Sequence, residues 1–150
     1  VAVPLIKEDT PMIQLIVGSE GKGKTKHLLD KVNEEIKEAS GNIVFLDRST
    51  KHMFELNNRV RLINVSEYDF ENKSEFIGFI YGIISQDHDI EQMYIDGIMK
   101  IARLDKAGFE EVVAKLKDVS EKFGITIVIS ASIDSSEISA SLKEYVIVAL

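Results

Sequence analysis

The chain contains no cysteine. That excludes disulfides, thiolate metal sites and cysteine nucleophiles, and it suits a reducing cytoplasm, the expected location. Histidine is sparse: His27, His52 and His88 are scattered and show no metal-ligand spacing. Positive charge is also in short supply, with 18 Lys and Arg against 25 Asp and Glu, a net charge of −7. An acidic surface repels phosphate backbones, so broad nucleic-acid binding is not expected. Long apolar runs are missing too. The longest, Phe76 to Ile84, is too short to span a bilayer and carries Gly78 and Gly82.

What is present fits one globular domain. The 150 residues are enough to close a core, and 45% hydrophobic with 29% charged is an ordinary balance. The two prolines, Pro4 and Pro11, both fall in the first eleven residues. That stretch is apolar over Val1–Ile6, then polar to Pro11, and lacks the basic start and small-residue cleavage site of a signal peptide. Residues 1–11 are expected to be a processed extension or an expression remnant, with Met12 the natural start and 12–150 a single domain. A short strand at the sheet margin is the rival reading, since Pro4 is tolerated only there.

The most informative string is Gly18-Ser19-Glu20-Gly21-Lys22-Gly23-Lys24-Thr25, a complete G-x-x-x-x-G-K-[ST]. It follows an apolar run, Met12 to Val17, and leads into helical periodicity. The glycines let the backbone curl so that its N–H groups point at phosphate oxygens, and the helix start adds positive field. Lys24 is placed to reach the β- and γ-phosphates and Thr25 to ligate Mg²⁺, with Lys26 as a further cofactor-binding residue. Lys22, Lys24, Lys26 and His27 concentrate positive charge around the loop of an otherwise acidic protein.

On these residues the chain resembles the P-loop NTPases. The resemblance is specific for the loop and covers the rest only loosely. It implies binding of a nucleoside triphosphate with Mg²⁺ and leaves the reaction open. The implied fold is an α/β three-layer sandwich with a mainly parallel sheet.

The remaining pattern is compatible. Leu28, Leu29, Val32, Ile36 and Ala39 line one helical face, and Gly41 is read as the residue that stops that helix. Asn42–Leu46, Ile90–Ile95 and Ile125–Ile129 read as strands, with weaker ones at Val60–Val65 and Tyr145–Leu150. Ser74 is read as the cap of a helix to Ser85, whose Gly78 and Gly82 suggest another backbone passing close. Leu104–Phe123 is the clearest amphipathic helix, stopped by Gly124. Alternating strands and helices imply a parallel sheet covered on both faces.

A P-loop needs a strand-end carboxylate for the magnesium. Asp96, after Met93-Tyr94-Ile95, and Asp47, after Ile43-Val44-Phe45-Leu46, both fit. The resemblance favours Asp96, because a later strand lies nearer the phosphates; Asp47 then suits an edge strand or a substrate contact. Either can instead be a simple strand-end turn residue. The catalytic candidates are thus Lys24 and Asp96, with Thr25 and Asp96 for the metal. Asp96 is followed by Gly97, where many P-loop ATPases carry a water-polarising glutamate. Hydrolysis is therefore expected to be slow unless Glu110, Glu111 or a residue of segment 48–58 substitutes. Ser130 or Ser132 can sense the terminal phosphate or merely start a loop; Arg103 can reach a phosphate or lie solvated.

Guanine recognition lacks its motifs. Asn72-Lys73-Ser74-Glu75 has Glu for Asp, and Asp105-Lys106-Ala107-Gly108 does not end a strand, so adenine is expected. Three functions follow: a slow ATPase or nucleotide-driven switch of the RecA-like branch, in which an extra strand separates the P-loop strand from the Asp96 strand; a small-molecule or nucleoside kinase, which lacks a visible arginine-rich lid; and a non-catalytic module reporting nucleotide state to a protein partner or a second copy.

Overall fold

Strands that are apolar at every position need cover on both faces. The computed structural model, which describes residues 12–150, provides it. The expectations for residues 1–11 lie outside the described residues. Six strands form one sheet: β1 (Ile13–Gly18), β2 (Asn42–Asp47), β3 (Arg61–Asn64), β4 (Ile90–Ile95), β5 (Thr126–Ser132) and β6 (Val146–Ala149). Their order is β3-β2-β4-β5-β1-β6, and every pairing is parallel. The helices are α1 (Lys24–Glu35), α2 (Lys73–Ser85), α3 (Ile98–Ile101), α4 (Lys106–Phe123) and α5 (Ala140–Lys143).

Alternation along the strands splits the core in two. Ile16, Ile43, Phe45, Tyr94 and Val128 pack with Leu28 and Val32 of α1 on one face. Leu15, Val44, Ile95, Ile127 and Ile129 pack with Phe76, Ile80, Phe109 and Leu116 of α2 and α4 on the other. The result is an α/β three-layer sandwich whose sheet is wholly parallel. Because all strands run one way, the loops leaving β1, β2, β4 and β5 share one rim, where ligands of open parallel sheets bind. Strand β5 lies between β1 and β4, so the loop strand and the Asp96 strand are not neighbours.

Several local readings change. The helix expected over Leu104–Phe123 is continuous but starts at Lys106: Asp105 caps α4 by accepting from the Gly108 N–H at 2.7 Å. Asn72, not Ser74, caps α2, accepting from the Glu75 N–H at 2.9 Å. The two strings that imitate guanine motifs are therefore helix caps. Gly41 lies beyond the end of α1, whose C-cap is Ile36. It is needed for close approach, since a Cβ there would stand 2.3 Å from the Asp89 carbonyl oxygen.

Gly78 and Gly82 also differ from expectation. Both are exposed, and nothing lies within 4 Å of where a Cβ would stand. Nothing packs there to compensate their low helix propensity. Gly78→Ala and Gly82→Ala are each expected to stabilise the fold by about 1 kcal/mol, read from urea unfolding. Loss of stability in either would mean that this helix face is covered.

Candidate functional site

The loop after β1 is shaped by its glycines. Gly21 and Gly23 have φ of 83° and 92°, in the left-handed region open chiefly to glycine. Among the described residues, the backbone N–H groups from Gly21 to Lys26 donate to no protein acceptor. A turn followed by a helix start thus leaves a row of unspent donors, the arrangement that binds anions.

Below the loop is a cavity of about 440 Å³, lined by Gly21, Gly23, Lys24, Thr25, Asp47 and Asp96, with Ser130 and Ser132 beside them. Lys24 is only 7% exposed, and its Nζ donates to the Ser19 carbonyl at 2.9 Å. Burial lowers its pKa, against the attraction of Asp96 and Glu20. Thr25 Oγ1 lies 3.2 and 3.0 Å from the two carboxylate oxygens of Asp96. Ser130 Oγ donates to Asp96 Oδ1 at 2.7 Å and accepts from the Gly97 N–H at 2.7 Å. The serine that ends the apolar run of β5 thereby fixes the Asp96 carboxylate.

Asp47 stands on the same rim at the end of β2, because β2 pairs directly with β4 and the Asp96 N–H donates to the Leu46 carbonyl at 2.9 Å. Its Oδ1 accepts from the Arg48 N–H at 2.7 Å, while Oδ2 is buried without a partner among the described residues. Burial, and then the nearby Asp96 charge, hold its carboxyl above the usual aspartate range. A buried carboxylate oxygen with nothing to accept is costly. Gly97 explains why no glutamate follows Asp96: at φ 75° a side chain would be strained.

The cations differ from the sequence expectation. Lys22, Lys26 and His27 are exposed, and Lys26 pairs with Asp30 at 3.3 Å. Neither Gly18, Ser19, Lys22 nor Lys26 is on the cavity wall, whereas Arg48, Lys51, His52 and Lys100 are. Segment 48–58, which carried no assigned structure from sequence, supplies three of those four. Lys100 forms an ion pair with Glu20 of the loop, which lowers the Glu20 pKa. Glu111 pairs with Lys73, and neither it nor Glu110 reaches this cavity.

The donor set fits a magnesium-bound triphosphate. A hydroxyl and a carboxylate already in contact can hold one cation that keeps water and phosphate as its other ligands. No group of three His, Asp or Glu suited to a metal occurs among the described residues. Nor is any described helix long and apolar enough to cross a membrane.

No protein-family model and no curated protein sequence matches this chain. The functional argument therefore rests on the site itself.

Proposed function

We propose that this protein binds ATP through residues 18–25 and hydrolyses its terminal phosphoanhydride slowly, as a magnesium-dependent NTPase or nucleotide-driven switch. The observation that carries the reading is the meeting of Thr25 and Asp96 beneath a loop whose amides are unspent. The position of β5 between β1 and β4 supports the RecA-like form of the resemblance.

In this reading the N–H groups of 21–26 hold the phosphate oxygens, and Lys24 leaves the Ser19 carbonyl for the β- and γ-phosphates. Thr25 and Asp96 would hold a magnesium ion, with Ser130 keeping the Asp96 carboxylate aimed, and an ion held there would supply positive charge against that developing on the phosphoryl oxygens. Asp47 replaces the missing glutamate: its free Oδ2 orients the attacking water and accepts its proton as the bond from phosphorus to the ADP oxygen breaks. Its raised pKa makes it a stronger base than an ordinary aspartate. Sequence reasoning missed this role, because the side-by-side placement of β2 and β4 is a property of the sheet.

Phosphate release at saturating Mg·ATP tests the proposal. Steady release without an acceptor supports it. Release only with an added nucleoside or sugar identifies a kinase instead, and tight binding without release identifies a nucleotide-reporting module. In the same assay Asp96→Ala is expected to abolish the response to magnesium while leaving metal-free nucleotide binding. If Asp96→Ala keeps that response and Asp47→Ala removes it, the two aspartates are assigned the wrong way round.

A further inference from the structure

A second cavity, of about 490 Å³, opens beside the first and shares Arg48 and Lys100 with it. Its other walls are segment 65–71 and the end of α3, including Tyr68, Phe70 and Arg103. Among the described residues, neither the Arg48 nor the Arg103 guanidinium has a hydrogen bond or ion pair, whereas the Lys100 ammonium is held by Glu20. Two guanidiniums without a hydrogen-bonded partner, Arg48 feeling Glu20 only at longer range, form on one concave surface a recognition element for phosphate or carboxylate.

Arg103 carries a second, independent signal. It sits at φ 55°, the one non-glycine residue with positive φ among those described. It follows α3 at the left-handed position of a helix cap, where the Leu104 N–H donates to the Met99 carbonyl at 2.9 Å. Glycine is the unstrained occupant of such a position. An arginine there costs stability, and Arg103 lines the cavity.

The aromatic wall narrows the ligand class. Tyr68 is 51% exposed and its ring lies 5.4 Å from Phe79, which lies 5.3 Å from Phe70. An exposed ring backed by packed rings is a stacking surface held in place at little entropic cost. Asp69 and Glu71 also line the cavity, so a polyanion is disfavoured there and a ligand with one anionic group is accepted.

We infer that this cavity binds a small molecule carrying one phosphate or carboxylate on a planar ring, the anion on Arg48 and Arg103 and the ring against Tyr68. The inference does not depend on the nucleotide reading, although the two cavities share Arg48 and Lys100.

The test is a ¹H–¹⁵N NMR titration of the full chain, first saturated with Mg·AMP-PNP, using phenyl phosphate, benzoate and neutral benzyl alcohol. At least one anion is expected to shift the amides of 65–71 and 100–103 saturably below ~10 mM and bind ~10-fold tighter than the alcohol. Which anion does so identifies the group. Arg48→Ala and Arg103→Gly should each weaken that anion ~10-fold, with Arg103→Gly raising the melting temperature because its backbone strain is relieved. Lys24→Ala, titrated without nucleotide, should bind the anion as the native chain does. That outcome separates this site from the phosphate loop. Failure of both anions to saturate those amides, or unchanged affinity in both arginine variants, overturns the inference.

Discussion

Lys24→Ala should weaken Mg·ATP binding by roughly 100-fold, the loss of about 3 kcal/mol expected when one charge-assisted contact to phosphate disappears. The reason is local. Lys24 is the only loop lysine on the cavity wall, and the residue as a whole is 7% exposed. Without ligand it rests on the Ser19 carbonyl, so it is already positioned and pays little to reorient. Lys22 and Lys26 are exposed and cannot compensate. Their replacement by alanine should change affinity by no more than about 3-fold, as exposed charges act weakly through water. Titration calorimetry of the three variants checks this. Equal losses in all three would mean that a diffuse field, rather than one seated ammonium, attracts the nucleotide.

Asp47→Asn is expected to give opposite results in two experiments. Phosphate release should fall by about 100-fold or more, the usual scale for losing a positioned base. The free protein should become more stable at neutral pH, by roughly 1 kcal/mol, since a buried carboxylate with one unpartnered oxygen is replaced by a neutral amide. The sign follows from the raised pKa. The folded chain keeps the Asp47 proton to a higher pH than the unfolded chain does. Stability is therefore lost as pH rises from the ordinary aspartate value to the raised one, and the loss persists above it. The asparagine variant should lack that component of the pH–stability curve. A variant that is both inactive and less stable would make Asp47 a structural residue.

How much of this was legible before folding depended on where each signal lives. β2 and β5 announced themselves as apolar runs, β4 by the shorter Met93–Ile95 run before Asp96, and α4 by the spacing of Phe109, Val112, Val113 and Leu116, all buried. The Gly18–Thr25 loop is a contiguous string with its own local geometry, so its boundaries could be read directly. Pairwise placement could not. That Asp47 and Asp96 end adjacent strands, and that Ser130 holds Asp96, follows from a sheet order that no single segment encodes. Gly41 looked like a helix stop because glycine serves two purposes; the Asp89 carbonyl that forbids a side chain there comes from 48 residues further along. The other cations of the rim were hidden for the same reason: Lys22 and Lys26 are adjacent to the loop in sequence, whereas Arg48, Lys51 and Lys100 reach the cavity wall from later loops.

The central claim is that the loop between β1 and α1 holds the phosphates of ATP. Titration calorimetry of the native chain with ATP and magnesium tests it most directly. The account expects one saturable site per chain, lost in Lys24→Ala. Absence of any heat of association, or binding that Lys24→Ala leaves unchanged, would contradict it.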